Sequence, residues 1–338
     1  MKSDLQTLNP REVLKKEGPN GLARLLGATG YMVQERVLGD MVQAIKSGMP
    51  HLIEGPRGAG KTALAEALAE ACNLPVFYLQ GMDGLELEDV LYSWDRDGQS
   101  EFVRQALSTG MNLKAARAEQ WSRDYLIFGE ALGAYEFAGR ENVVPILIVD
   151  EIDKLKDRIE DMLLQLFGRG YAHVPRLGDV GVKDSSRWPI VILLSNDIRH
   201  DLSAPMRSRC IYTWIDLPTA REGVSILCSR VPEAPADMVA SVAKLLDCIR
   251  DIPGVVDKPA LREGISLLKA LSRDEVSMID EPVLVEYLCH LAKRRGDRDY
   301  LLQSMARVEQ MVNSPHREID AWVEEEFSSR RRASLRAA

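Results

Sequence analysis

The sequence predicts an α/β fold, with a parallel five-stranded sheet flanked by helices, followed by a smaller all-helical domain. Three observations carry that expectation. The stretch Glu54-Gly55-Pro56-Arg57-Gly58-Ala59-Gly60-Lys61-Thr62 fits the phosphate-binding pattern G-x-x-x-x-G-K-S/T in full. Five short apolar runs, at 51–53, 75–79, 143–149, 189–194 and 211–217, are separated by segments long enough for crossover helices. From Thr219 onward the texture changes to helical periods broken by Pro and Gly.

The phosphate-binding stretch stands where a P-loop has to stand. His51-Leu52-Ile53 reads as a short buried strand before it, and Leu64, Ala67, Leu68 and Ala71 recur at helical spacing after it. The loop therefore lies on a strand-to-helix turn. Its glycines let the backbone N–H groups of Gly55 through Thr62 point inward at an anion, and the following helix aims its positive end at the same place. A triphosphate suits this cradle: Lys61 would reach the outer phosphates, and the Thr62 hydroxyl would hold a bridging Mg2+.

Residues 1–30 carry the turn cluster Gly18-Pro19-Asn20-Gly21 and read as an N-terminal arm and loop. Val33, Val37, Met41, Ala44 and Ile45 follow a helical period that Gly48 ends. Between the strand at 75–79 and that at 143–149, residues of about 80–141 exceed a simple crossover and read as an insertion. The expectations within it are helices near Glu86 to Tyr92 and Glu101 to Ser108, and a turn at Asp95–Gly98. Tyr92 and Trp94 there have two readings, substrate contact or aromatic anchors, and aromatics more often pack.

The run Val143–Val149 ends in Asp150-Glu151, the pattern called Walker B. At the carboxyl end of a parallel strand Asp150 can hold Mg2+ or its water shell, and Glu151 can polarise the attacking water. A helix with Ile159, Met162, Leu163, Leu166 and Phe167 on one face follows, then extended pieces around Leu177-Gly178-Asp179 that read as a hairpin or ordered loop. The run 189–194 delivers Ser195 and Asn196 at its end, where an Asn either orients water or serves ordinary turn chemistry. Arg207 and Arg209 precede the last apolar run, and an arginine finger competes there with surface ion pairing.

Past Leu217-Pro218, Thr219-Ala220-Arg221-Glu222 is a capping box opening a helix. The expected division is an α/β nucleotide-binding domain over 31–218, a helical lid over 219–313 and a tail over 314–338 that ends in Arg330-Arg331-Arg332 and Arg336 as a solvated charged segment. Within the lid, a helix beginning at Asp257-Lys258-Pro259 carries Arg262 in its first turn. A cation near a helix N-terminus costs roughly 0.3–1 kcal/mol against the helix dipole, which an anionic partner would offset.

Across 338 residues the formal net charge is -8, so no global basic field attracts nucleic acid or an anionic membrane. Protein partners, a soluble chain and a cytoplasmic location are the expectation, since no run approaches the roughly 20 apolar residues of a span. Cys72, Cys210, Cys228, Cys248 and Cys289 lack C-x-x-C spacing and read as reduced, mostly buried thiols.

The order P-loop, Asp150-Glu151, Ser195-Asn196, Arg207-Ser208-Arg209-Cys210 and then an Arg262-bearing helix resembles the AAA+ ATPases. More narrowly, Ser47–Gly55 is similar to the MoxR family's approach to its P-loop, and Leu79-Gln80, Gly84, Tyr92–Trp94, Val174–Gly178 and Arg209–Pro218 resemble its CoxD-like branch, linked to maturation of carbon monoxide dehydrogenase. The likeness covers roughly residues 30–275. It implies Asn196 as sensor 1, Arg209 as a finger acting in trans and Arg262 as sensor 2. It also implies a homo-oligomeric ring, a hexamer, that hydrolyses ATP to remodel or activate a client protein, with a von Willebrand factor A domain protein as partner. Two other function classes stand beside it: a clamp-loader-like, DNA-linked ATPase, which shares Ser208-Arg209-Cys210 but sits badly with the acidic balance, and a non-hydrolysing nucleotide-gated scaffold, against which Lys61, Asp150 and Glu151 count.

Overall fold

The computed structural model describes residues 7–196 and 202–337. Expectations for residues 1–6 of the N-terminal arm and for Ala338 lie outside them. The chain divides into two bodies, Met1–Pro56 with Gly60–Ile215, and Arg57–Ala59 with Asp216–Ala338.

In the first body, α1 (Pro10–Ala28) and α2 (Glu35–Ser47) precede β1 (His51–Glu54), α3 (Lys61–Cys72) and β2 (Val76–Gln80). The insertion follows as α4 (Leu87–Val90), β3 (Tyr92–Trp94), α5 (Arg96–Ser108), α6 (Leu113–Glu119), β4 (Leu126–Phe128) and α7 (Glu130–Glu141). The chain continues through β5 (Ile146–Asp150), α8 (Asp157–Arg169), β6 (Tyr171–Val174), β7 (Gly178–Gly181), β8 (Ile190–Ser195), α9 (Ala204–Arg207) and β9 (Ile211–Trp214).

The five expected strands form one sheet in the order β2-β5-β8-β1-β9, with every pair parallel. Parallel strands covered on both faces have to be apolar throughout, and Leu52, Ile53, Ile146, Leu147, Leu193 and Leu194 are wholly buried. Register sets the site: Glu54 lies opposite Ser195 and Trp214, and Gln80 lies opposite Asp150. The carboxyl ends of the strands thus share one edge of the sheet, where ligands of open α/β sheets bind.

Three segments depart from their sequence reading. Residues 10–28, expected as arm and loop, are helical. The chain breaks only at Gly18 (φ 65°, ψ -164°) and resumes with Pro19 in the new first turn, where a missing N–H costs nothing. Leu22 and Leu26 are wholly buried, so this helix belongs to the core. At 95–98, Asp95 is an N-cap whose side chain accepts from the Gly98 N–H (2.9 Å), and it starts α5 rather than a turn. The preceding helix stops at Val90, because Tyr92–Trp94 pairs antiparallel with Leu126–Phe128. Tyr92 and Trp94 pack on the apolar core, and Trp94 meets Trp121 edge-on at 5.0 Å, which is the anchor reading. The 171–181 pieces form an antiparallel hairpin.

The second body is helical throughout: α10 (Ala220–Arg230), α11 (Ala236–Asp251), α12 (Leu261–Arg273), α13 (Glu281–Leu291), α14 (Arg295–Gln303), α15 (Met305–Asn313) and α16 (Arg317–Ala337). The Thr219–Glu222 capping box forms in both directions. The third departure is the tail. It is a helix whose Ile319 and Val323, four residues apart, are buried in the core with Leu227, Val239 and Leu245. Four of the five cysteines are buried and Cys289 is exposed. Among the described residues no helix is long and apolar enough to cross a membrane.

Candidate functional site

β1 runs straight into the glycine loop. Ile215 N–H donates to the Glu54 carbonyl (2.8 Å), which draws the end of β9 so close that a Cβ on Gly55 would lie 2.1 Å from the Ile215 carbonyl oxygen. Only glycine fits there. Gly60 closes the loop in the left-handed region (φ 90°) and caps α3, whose first residues are Lys61 and Thr62. Between them, Pro56 is half-buried, Arg57 and Gly58 are exposed, and Ala59 is buried.

Lys61 is buried, and its ammonium donates to three oxygens: the Gly55 carbonyl (2.7 Å), the Pro56 carbonyl (2.9 Å) and Asn196 Oδ1 (2.9 Å). The side chain at the end of β8 therefore meets the loop lysine directly. Asn196 is held from behind, its N–H donating to the buried carboxylate of Asp153 at 3.3 Å. The Thr62 hydroxyl donates to Asp150 Oδ2 at 3.2 Å, so a hydroxyl and a carboxylate, the hard oxygen pair suited to Mg2+, stand side by side.

Both strand-end carboxylates have further partners. The Tyr78 hydroxyl donates to Asp150 Oδ2 (2.7 Å), and burial, reinforced by that bond, pushes its pKa up. The Glu151 N–H donates to Asp150 Oδ1 (2.8 Å), and Glu151 itself has φ 52°, a left-handed conformation uncommon outside glycine and enriched at functional sites. That turn carries its carboxylate to Gln80 Nε2 (2.7 Å) and to an ion pair with Lys154. Gln80 and Tyr78, two apart on β2, each address one carboxylate.

The arginines separate. Arg207 pairs with Glu54, a carboxylate only 3% exposed, through contacts of 3.2 and 3.4 Å. The reading of Arg207 as a local ion pair therefore holds. Arg209 is exposed, and its guanidinium donates to the Pro205 carbonyl (3.0 Å). The short helix α9 that ends at Arg207 is pinned by Ser203, which caps Met206 and donates to the buried Glu160 from its N–H (3.1 Å) and its hydroxyl. Arg262 belongs to the helical body: its helix begins at Leu261, later than the sequence suggested, and the 89% exposed side chain lies 3.5 Å from Glu263.

The structure thus brings Lys61, Thr62, Asp150, Glu151 and Asn196 to one edge. Sequence reasoning missed the roles of Glu54, Tyr78, Asp153 and Lys154 around them. The one available signal was the alternation in Val76–Gln80, which puts Tyr78 and Gln80 on one face.

Residues 50–210 match the family model of the AAA domain, dynein-related subfamily. No curated protein matches the chain. Among solved structures the chain is similar to two mutants of Thermotoga maritima RuvB, at 17% and 16% identity. The first comparison covers 83% of this chain and 79% of that one, the second 84% and 79%, each with a TM-score of 0.44. The matched family segment opens at the strand that feeds the glycine loop and closes at the end of the arginine segment; it holds β1, β2, β5 and β8, and β9 directly after it completes the five-stranded parallel sheet of an AAA+ fold.

Proposed function

We propose that the chain is a Mg2+-dependent ATP hydrolase of the MoxR type, working as a ring, a hexamer, that remodels or activates a client protein in the cytoplasm. The observation that supports this reading best is the convergence of Lys61, Thr62, Asp150, Glu151 and Asn196 from three strand ends onto one edge of the sheet. The residues fit the ligands they would hold. The close approach at Gly55 leaves room for backbone alone, and the lysine ammonium donates to the Gly55 and Pro56 carbonyls and to Asn196, oxygen acceptors that phosphate oxygens can replace.

In this reading Lys61 and the backbone N–H groups of Gly55 through Thr62 bind the phosphates. Thr62 and Asp150 hold Mg2+, whose charge offsets that of the transferring phosphate. Asn196, fixed by Asp153, orients the terminal phosphate or the water beside it. Glu151 receives the proton of that water, and to do so it exchanges Gln80 and Lys154 for the water. Arg209 reaches the site of the neighbouring subunit, and Arg262 reaches the nucleotide from the helical domain. A von Willebrand factor A domain protein is the partner class this reading carries.

The test is a Glu151→Gln variant with ATP. Nucleotide affinity close to wild type with turnover reduced by about two orders of magnitude or more is the expected result. Undiminished turnover removes Glu151 from the chemistry, and absence of turnover in the wild-type ring with Mg2+ leaves a nucleotide-gated scaffold instead.

A further inference from the structure

At the opposite edge of the same sheet, where the strands begin, lies a cleft of about 680 Å³. α1, the end of α2, and the segments leading into β5 and β8 enclose it. With the strands rising roughly 3.3 Å per residue, it is on the order of 20 Å from the glycine loop. Four cations line it, Arg11, Lys15, Lys46 and Arg187, against one carboxylate, Glu12. Glu12 is already paired with Lys15 at 2.7 Å. A local balance of three positive charges on a chain of net charge -8 sets this cleft apart from the bulk of the protein.

The two guanidiniums are fixed without being neutralised. Arg11 donates to the Trp188 (2.8 Å) and Ser186 (3.3 Å) carbonyls, and Arg187 donates to the Ala138 (3.0 Å) and Gly139 (2.7 Å) carbonyls in the last turn of α7. Helix-end carbonyls carry at most about half a unit of negative charge. Among the described residues no carboxylate lies within ion-pair distance of either guanidinium or of Lys46. Asp184, whose field reaches Arg187, is turned onto the Ser186 N–H and hydroxyl. Burial disfavours the charge on Arg11. Partly buried cations ordinarily have a counter-ion, and among the described residues no carboxylate forms an ion pair with Arg11 or Arg187. Beside the cations the lining is apolar, with Leu14, Ile45, Val143 and Val144.

We infer that this cleft is a second ligand site, which binds a small organic phosphate: the phosphate between the anchored Arg11 and Arg187 and the exposed Lys15 and Lys46, the organic part against Leu14 and Val143. A phosphomonoester carries about two negative charges, which suits the surplus of three, and guanidiniums match its oxygens in pairs. This assignment rests on the first body alone and stands whether or not the P-loop hydrolyses ATP.

The probes are phenyl phosphate and inorganic phosphate, titrated calorimetrically into the 338-residue chain carrying Lys61→Ala, in which the P-loop contribution is removed. One saturable site for phenyl phosphate, tighter than inorganic phosphate, is expected. Adding Lys46→Glu, a reversal at an exposed position, replaces one attraction by one repulsion and weakens binding by about tenfold or more. Lys114→Glu, an equal charge change on the exposed insertion, leaves it unchanged, and Arg11→Lys weakens it while keeping the charge. Failure to saturate at millimolar phenyl phosphate overturns the site, as does indifference to Lys46→Glu or an equal response to Lys114→Glu. Equal affinity for the two probes overturns the assignment to an organic ester.

Discussion

Arg207 and Arg209 stand two residues apart, and the structure assigns them opposite consequences on mutation. Truncating Arg207 to Ala leaves the Glu54 carboxylate, 3% exposed at the end of β1, without its counter-charge. Breaking a fully buried pair costs about 3–5 kcal/mol. The Arg207 side chain is 35% exposed, so water takes over part of its role, and the expected loss is about 2–3 kcal/mol. Four of the five tryptophans, at 94, 121, 188 and 214, lie in the first body, so the fluorescence change in urea reports its unfolding. Glu54→Gln alone is costly too, whereas Glu54→Gln with Arg207→Ala removes both charges and recovers part of the sum, with a coupling of about 1–3 kcal/mol. A loss below about 0.5 kcal/mol for Arg207→Ala, or strict additivity in the double variant, would refute the reasoning and make this pair an ordinary surface one.

Arg209→Ala, by contrast, removes an exposed side chain whose bond among the described residues is to the Pro205 carbonyl, and shifts stability by less than about 0.5 kcal/mol. If it acts in trans, hydrolysis falls by roughly 10³–10⁵ and mixing with Lys61→Ala subunits restores some of it; normal turnover in the variant ends that role. Gln80→Ala releases one of two partners of Glu151, so basal turnover rises by about 3- to 10-fold with nucleotide affinity unchanged, and a rate no different from wild type means the bond is already open in solution. His51 gives a pH signature. Thr213 donates its proton to Asp40 (2.9 Å), so His51 Nε2–H donates to Thr213 (2.7 Å), and burial, partly opposed by Asp40, holds the imidazole pKa down to about 4. A folded value below the unfolded 6.5 means that stability is intact above pH 6.5. It falls as pH drops toward 4, by about 3 kcal/mol at most, and levels off below; urea titrations from pH 7 to 4 should lose this slope in His51→Asn.

The sheet was legible because strands buried on both faces must be apolar runs, and the loop was legible because the motif demands its own flanks. α1 was not: Gly18-Pro19-Asn20-Gly21 has the composition of a turn, and only the burial of Leu22 and Leu26 distinguishes a helix with one break from a loop. α16 hid for a related reason, since its arginines and glutamates dominate the composition while two residues per turn-pair, Ile319 and Val323, decide the packing. At the site, Asp150, Glu151 and Asn196 could be placed from position in their own strands. Tyr78, Gln80 and Lys154 could not be placed as their partners. Their contacts depend on the register of β2 against β5 and on the left-handed turn at Glu151, neither of which a linear pattern records.

The position of β1 inside the sheet bears on the order in which the molecule is made. His51 is in register with Ile192 on one side and with Ile211 on the other, and the wall against which Gly55 is moulded is the Ile215 carbonyl. Both neighbours of β1 come more than 130 residues after it in the chain. Synthesis proceeds from the N-terminus, and distant pairings carry the loop-closure entropy of everything between them. A nascent chain that has reached the end of the insertion has therefore already delivered every residue of the glycine loop, yet has neither flank of the strand that shapes it. The loop is early in the message and late in the fold, and a nucleotide can select it only after residue 215 has emerged.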